Sequence, residues 1–124
     1  MEKLTLQEEE AMLVVWKTGE GNVKSFLEKY DSEKPPYTTL ASTIKNLEKK
    51  GYLTSRLVGN AYLYKPAISE ADYKKKFMNG VVKDYFENSY KELVNFFVEQ
   101  NKLSADELKD IINMIERNSS GHRP

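Results

Sequence analysis

Apolar positions recur at helical spacing along the first fifty residues, and the breaks between them predict three short helices. A capping box, made by Thr5 with Glu8, begins the first helix, which is predicted over about 6–17. A second helix is predicted over about 23–30, and a third over 39–50. Two prolines precede the third helix and cannot lie inside a helix, so a loop must separate the second helix from the third.

After the third helix the pattern changes to short β-prone runs. Residues 53–58 and 61–65 predict two strands, and the dipeptide Gly59-Asn60 between them tolerates positive φ in a two-residue turn. Three helices followed by a hairpin is the order of elements in a winged helix-turn-helix. We therefore predict that residues 1–67 form a winged helix-turn-helix, with the third helix as its recognition helix.

Several packing expectations accompany this layout. Met12 and Trp16 are predicted to belong to the core, and β-pairing is expected with residues near Val23. Tyr62 and Tyr64 alternate along the second strand, so they share one face, which is expected to pack on the recognition helix.

The rest of the chain, residues 68–117, predicts three further helices. Ser69, Ser89 and Ser104 each precede an acidic residue by three positions, as helix N-caps do. The apolar residues of these helices exceed what a lone three-helix tail can cover, so we expect a homodimer to bury them. The predicted dimer interface comprises Tyr73, Phe77, Val81, Tyr85, Phe86, Leu93, Phe96, Phe97, Leu108, Ile111, Ile112 and Ile115. Residues 118–124 are predicted to be a disordered tail. The predicted fold class is thus mainly α with a small β-wing: an N-terminal winged helix-turn-helix followed by a C-terminal three-helix dimerisation region.

The polar face of the third helix has the chemistry of a DNA-contacting surface. It carries short hydrogen-bonding groups and lysines but no large apolar residue, which suits contacts to base edges and phosphates. Base contacts are predicted for Thr39, Ser42 and Asn46. Phosphate contacts are predicted for Tyr37, Thr38, Lys45, Lys49, Lys50, Arg56, Asn60 and Lys65.

Charge is unevenly distributed, although the net charge of the chain is zero. Residues 34–65 carry six Lys or Arg against one acidic residue, whereas residues 1–33 carry four against eight. Positive charge is therefore concentrated on the segment with DNA-contacting chemistry. The same helix face is also consistent with an ordinary solvated surface, and Lys49 and Lys50 with charges that complement the helix dipole.

The composition argues against an enzyme. The chain has no cysteine, hence no disulfide, thiolate nucleophile or cysteine-based metal site, and its single histidine falls in the predicted tail. No pair of carboxylates has metal-ligand or acid–base support, so neither a cofactor nor catalysis is expected. No apolar run is long enough to span a bilayer and no signal peptide is recognisable, so a cytoplasmic location without membrane insertion is expected.

Four motifs occur in an order and spacing typical of one family. They are Leu4-Thr5-x-x-Glu8-x-x-Ala11-Met12-x-x-x-Trp16, Tyr37-Thr38-Thr39-Leu40, Leu47-x-Lys49-Lys50-Gly51-Tyr52-Leu53 and Gly59-x-Ala61-Tyr62-x-Tyr64-x-Pro66. Over residues 4–117 the chain resembles the BlaI/MecI/CopY family of penicillinase-repressor transcription regulators. The resemblance implies a homodimeric repressor that binds an inverted-repeat operator. In the β-lactam branch it further implies a membrane metalloprotease sensor that triggers cleavage within the dimerisation region.

The chain departs from the family pattern at several positions. Without cysteine it cannot use the metal-binding tail of the copper branch. Asn46 and Asn60 stand where many relatives carry arginine, and Asn prefers adenine whereas Arg prefers guanine, so the relatives' operator sequence does not transfer. Relatives are cut at an Asn-Phe bond, whereas Asn95-Phe96 here lies one position before the aligned pair Phe96-Phe97. These three residues are the candidate cleavage site.

A second function class remains open from the residues alone. Winged helices also serve as protein-interaction modules that do not bind DNA, in which case the basic helix would meet an acidic partner. A repressor switched by a bound ligand is a further alternative. The sequence names neither the operator, the regulated genes nor the inducing signal.

Overall fold

A computed structural model describes residues 2–122 of the chain, with side chains through Asn118. Its elements are α1 Leu6–Thr18, α2 Val23–Glu28, α3 Tyr37–Lys49, β1 Leu53–Val58, β2 Ala61–Pro66, α4 Glu70–Tyr85, α5 Tyr90–Glu99 and α6 Ala105–His122. The predicted mainly α fold with a small β-wing is confirmed. The chain divides into two compact units, Met1–Lys75 and Lys76–Pro124.

One hydrophobic core lies where α1, α2, α3 and the base of the hairpin meet. Its buried side chains are Ala11, Met12, Val14, Val15, Phe26, Leu40, Ile44, Leu47, Tyr52, Leu53 and Tyr64. Trp16 packs against them, as predicted. Tyr62 differs from the prediction because it is 56% exposed, while Tyr64 is buried. The reason is position, since Tyr62 pairs with the exposed Leu57 near the turn, beyond the part of the hairpin that covers the core.

Gly51 turns the chain from the recognition helix directly into the wing. It adopts φ 87°, a left-handed conformation in which a side chain would be strained. Its N–H donates to the Glu48 carbonyl at 3.0 Å, and the Tyr52 N–H donates to the Leu47 carbonyl at 2.9 Å, which together form a Schellman motif. The start of β1 is therefore fixed to the end of α3.

The wing is an antiparallel hairpin with the two-residue turn that the sequence predicted. Pairing runs from Leu53 with Pro66 to Val58 with Ala61, so the loop contains two residues. Gly59 takes φ 60° at its first position, where a residue with a side chain would be disfavoured.

The turn between α1 and α2 is attached to the second strand of the wing. Gly21 and Tyr64 exchange backbone hydrogen bonds of 3.0 and 2.8 Å, which confirms the β-pairing expected near Val23. A Cβ on Gly21 would meet the Ser25 hydroxyl and lie 3.1 Å from the Phe26 ring, so a side chain at this position would force its neighbours on α2 to shift.

The first turn of α4 belongs to the first unit. The Trp16 indole N–H donates to the Ile68 carbonyl at 3.0 Å, and the Tyr73 hydroxyl donates to a Glu9 carboxylate oxygen at 2.7 Å. The ring centroids of Trp16 and Tyr73 lie 5.4 Å apart. These contacts attach residues 68–73 to α1. The first unit accordingly ends at Lys75, beyond the boundary predicted at residue 67.

The second unit has little core of its own. Among its described residues Val82 is the single fully buried apolar side chain. The Phe86 and Phe96 rings pack edge to face with their centroids 5.8 Å apart, and the Phe96 and Phe97 rings do so with a centroid distance of 5.5 Å. Most of the apolar residues of α5 and α6 whose side chains are described remain exposed within one chain.

The helix starts predicted by serine caps are confirmed. The Ser89 hydroxyl accepts from the Glu92 N–H at 3.1 Å. Ser104 and Glu107 form a reciprocal capping box with distances of 3.0 and 3.1 Å. The helix α6 ends at His122, later than the helix end predicted before the tail at 118–124. Residues 123 and 124 of that tail lie outside the described residues, and so do the side chains of residues 119–122.

Candidate nucleic-acid interface

The recognition helix α3 has one buried face and one solvent-facing polar face. Leu40, Ile44 and Leu47 lie in the core. The exposed side chains on the other side of the helix are Thr38, Ser42, Lys45, Asn46 and Lys49, which we call the α3 stripe. Their spacing of three and four residues places them along one line on the helix surface.

The predicted base contacts differ in accessibility. Ser42 and Asn46 lie exposed in the middle of the α3 stripe, whereas Thr39 is half-buried. The hydroxyl of the buried Thr43 donates to the Thr39 carbonyl at 2.9 Å, so the Thr43 hydroxyl is satisfied within the helix. Ser42 and Asn46 therefore present the accessible hydrogen-bonding groups for base edges.

Two lysines of the stripe have their charge available. Among the described residues, Lys45 and Lys49 form no ion pair. Both side chains are exposed and stand four residues apart, about 6 Å along the helix axis. They can follow a phosphate backbone that runs beside the helix.

The N-terminal end of α3 is also left positive. Its N-cap is Pro36, which makes no side-chain capping bond, and its first turn carries no acidic residue. By contrast, α1 begins with a complete capping box and two glutamates in its first turn. Free backbone N–H groups at a helix N-terminus attract anions, and Tyr37 and Thr38 are exposed beside them.

Lys50, a predicted phosphate contact, forms an ion pair within the first unit. Its ammonium lies 2.7 Å from a carboxylate oxygen of Glu8 and 3.1 Å from the Lys3 carbonyl. Glu8 is buried, which acts to raise its pKa, but the hydrogen bonds from Lys50 and from the Thr5 N–H outweigh burial and hold that pKa below the ordinary value. Its charge therefore stabilises the start of α1, and we propose that this, rather than a phosphate contact, is the role of Lys50.

Arg56 on the wing is paired as well. Its Nε and Nη2 donate to the two carboxylate oxygens of Glu20 at 2.9 and 2.8 Å, in a bidentate arrangement at the surface. Lys65 and Asn60, the other predicted wing contacts, are exposed. Sequence reasoning missed Glu20 because it lies 36 residues from Arg56, beyond any local pattern.

A side-chain bond also joins the wing to the recognition helix. The Ser55 hydroxyl on β1 is hydrogen-bonded to the Glu48 carboxylate on α3. Together with the Schellman motif after α3, this bond holds the hairpin in a fixed position beside the α3 stripe.

The predicted dimer interface is mostly accessible in the second unit. Its exposed members are Phe77, Tyr85, Phe96, Phe97, Ile112 and Ile115, and its half-buried members are Val81, Phe86, Leu93, Leu108 and Ile111. Tyr73 does not fit this set, because its side chain packs against the core of the first unit and bonds to Glu9. Burial and the Glu9 bond both raise the pKa of Tyr73. The dimer contact predicted for Tyr73 stays a prediction.

The candidate cleavage site lies inside a helix. Asn95, Phe96 and Phe97 fall in the second half of α5, where the two phenylalanines are exposed and Asn95 is half-buried.

Among the described residues, no cluster of His, Asp and Glu is arranged to hold a metal ion. Within the same part of the chain, no helix combines the length and apolar character needed to cross a membrane.

Comparison with known proteins places this sequence in a family. The sequence profile of the penicillinase repressor family matches residues 4–117. The chain is 23% identical over 116 residues to the methicillin resistance regulatory protein MecI of Staphylococcus aureus strain N315, covering 93% of this chain and 94% of that protein. It is 26% identical over 114 residues to the penicillinase repressor of Bacillus licheniformis, covering 90% of this chain and 88% of that protein. Because the match spans nearly the whole chain, and because the fold carries an exposed recognition helix beside a wing, this protein belongs to the penicillinase repressor family.

Proposed function

We propose that this protein is a homodimeric transcriptional repressor that inserts α3 into the DNA major groove at each half of an inverted-repeat operator. The observation that carries the proposal is the α3 stripe, a polar and cationic helix face beside a fixed wing in a member of a repressor family. An α-helix fits the major groove, where each base pair presents a distinct pattern of donors and acceptors.

The α3 stripe divides the work of recognition between its side chains. Asn46 and Ser42 read base edges, and Asn46 favours adenine because its amide matches the adenine N6 and N7 groups. Lys45 and Lys49 contact phosphates, and so do Tyr37 and Thr38 at the positive end of the helix. Thr39 takes a smaller part because it is half-buried.

Dimerisation through the second unit supplies the inverted-repeat symmetry. The second unit exposes Phe97 at 39% and Ile115 at 57%, and a soluble monomer rarely presents so large a set of accessible apolar side chains. A two-fold dimer buries these faces against their copies and places two recognition helices about 34 Å, or one turn of DNA, apart.

Proteolysis in α5 would inactivate such a dimer. A cut between Asn95 and Phe96 removes the end of α5 and all of α6, and with them Ile112 and Ile115. A helix of ten residues is too short to be stable by itself, so α5 depends on its packing and can open to a protease. A membrane metalloprotease sensor is the protease that we propose, in keeping with the family resemblance.

DNA binding by the full chain tests the first part of the proposal. Fluorescence anisotropy compares a labelled duplex from the gene's own promoter with a scrambled duplex at about 150 mM salt. We expect selective, saturable binding with a Kd of roughly 10⁻⁸ M or tighter, at two protomers per duplex. Equal weak binding to every genomic fragment would refute the repressor and favour a protein-interaction module.

A pair of variants tests the dimer. Ile115→Asp places a charge on the accessible apolar stripe of α6, and we expect sedimentation to show a monomer that binds the operator weakly. Asn113→Asp adds the same charge on the opposite side of the same helix and should remain a dimer. A dimeric Ile115→Asp protein would show that α6 does not form the interface.

A further inference from the structure

The outer face of the wing carries two cations and faces one acid. Arg56 pairs with Leu63 and Lys65 pairs with Thr54, so Arg56 and Lys65 are diagonal neighbours on the side of the hairpin away from Tyr64. The Glu20 carboxylate accepts both bonds from Arg56. The hydrogen bond from Arg56 is the main reason why the pKa of Glu20 is lowered, and the charge of Lys65 adds to the effect.

The position of Glu20 is set by the backbone around it. Gly19 ends α1 with φ 84°, and Gly21 exchanges two hydrogen bonds with Tyr64 on β2. Glu20 lies between these two constrained glycines, so its side chain starts from a turn that is attached to the wing. The acid and the hairpin are therefore held together as parts of one structure.

The geometry of the pair resembles the way in which an arginine holds a phosphate. A guanidinium offers a planar fork of N–H groups that matches a carboxylate or a phosphate with two parallel bonds. The Arg56 side chain is 62% exposed while that of Glu20 is 29% exposed, so the arginine sits on the solvent side of the pair. A DNA phosphate and the Glu20 carboxylate would compete for the same N–H groups.

We propose that Glu20 withholds Arg56 from the DNA backbone and so limits the affinity of the wing for duplex DNA. This inference rests on the proposed DNA-binding function, which it deepens by naming an internal competitor of phosphate. The wing then contributes less sequence-independent binding than its two cations would supply, so a larger share of operator affinity comes from the base contacts of α3.

The test removes the negative charge of Glu20 and keeps its shape. Glu20→Gln and the wild-type protein are titrated with a random-sequence 30-base-pair duplex at several salt concentrations between about 50 and 200 mM. We expect Glu20→Gln to bind up to about five-fold more tightly per protomer. The gain stays small because the ion pair that competes with phosphate is exposed, and exposed pairs contribute little. The slope of log K against log salt should steepen by about 0.9 per protomer, the value for one additional phosphate contact.

Two further variants separate this effect from a general loss of negative charge. Glu28→Gln removes an exposed acid at the end of α2 and should change neither affinity nor slope by a comparable amount. In an Arg56→Gln background most of the gain from Glu20→Gln should disappear, because the released arginine is absent. Thermal unfolding verifies that each variant is folded at the temperature of the titration.

Each outcome decides between distinct conclusions. Unchanged affinity and slope in Glu20→Gln would show that Arg56 does not reach DNA, and weaker binding would show that the pair positions the wing for DNA; either result overturns the inference. No duplex binding by the wild-type protein even at about 50 mM salt would remove the proposed function and the inference with it. A gain in Glu20→Gln without any operator selectivity would support the inference while refuting the operator-binding repressor.

Discussion

Replacing Lys50 by methionine should destabilise the first unit without altering phosphate contacts. The variant Lys50→Met keeps most of the aliphatic stem but removes the ammonium that binds Glu8 at 2.7 Å and the Lys3 carbonyl at 3.1 Å. Glu8, which is 5% exposed, would keep its hydrogen bonds with Thr5 and lose its counter-charge. Exposed ion pairs contribute about 0–1 kcal/mol, whereas breaking a fully buried pair costs about 3–5 kcal/mol. With side chains 20% and 6% exposed, this pair lies between those limits. We expect the free energy of unfolding to fall by about 2–3 kcal/mol.

Urea unfolding followed by tryptophan fluorescence measures this loss where it occurs. Trp16 is the single tryptophan of the chain and packs against the core of the first unit, so its emission reports on that unit. The matched control is Lys49→Met, one residue earlier, where the side chain is exposed and, in the described part of the chain, has no ion pair. Its stability should stay within about 0.5 kcal/mol of the wild-type value. In DNA titrations the two variants should exchange roles, since Lys49→Met flattens the salt dependence by about 0.9 per protomer and Lys50→Met leaves it unchanged.

The loss should also depend on pH in a direction that Glu8 determines. The pKa of Glu8 in the folded protein lies below its ordinary value of 4.5, so the folded state favours the charged form. The stability that the pair contributes is therefore complete above pH 4.5 and is lost as the pH falls through the lower, folded-state pKa. The difference between wild type and Lys50→Met should be largest near neutral pH and shrink in acid. A difference that is absent at neutral pH, or that does not shrink in acid, would refute this account of Lys50.

Three other substitutions test separate parts of the molecule. Asn46→Ala should cost about 1–3 kcal/mol of binding to the operator and little to random DNA in paired anisotropy titrations; equal losses would mean that Asn46 reads no base. Tyr73→Phe should lower the free energy of unfolding by about 1–2 kcal/mol through loss of the bond to Glu9, with an unchanged mass in sedimentation; a monomer would place Tyr73 in the dimer interface. Gly21→Ala should cost about 1–3 kcal/mol in thermal unfolding, because the added Cβ has no space beside α2, and wild-type stability would show that the turn can shift.

Local patterns predicted most of the fold, and distant contacts account for what they missed. The capping box joins Thr5 to Glu8, three residues later, so it can be predicted from the local sequence. Lys49 and Lys50 are indistinguishable in the sequence. A carboxylate 42 residues away pairs with Lys50, whereas Lys49 forms no ion pair among the residues that the structure describes.

In the candidate site too, local features could be predicted and long-range contacts could not. The α3 stripe could be predicted because helical period alone separates its exposed positions from the buried ones. The pairing of Arg56 with Glu20 and the inclusion of Tyr73 in the first unit depend on how separate elements meet in space. Hydrophobic periodicity describes neighbouring residues along the chain and therefore does not predict such long-range contacts.

The attachment of the wing at three points has a consequence for the DNA itself. The hairpin is joined to the end of α3 through Gly51, to its side through Ser55 and Glu48, and to the turn before α2 through Gly21. The proposed reader is accordingly stiff, with a constant separation between the groups that enter the groove and those beside it. In a complex the duplex must adjust instead, and the energy of bending or twisting it depends on base sequence. For the proposed repressor we therefore predict operators with deformable steps at positions next to those contacted by α3, selected without direct contact by the protein.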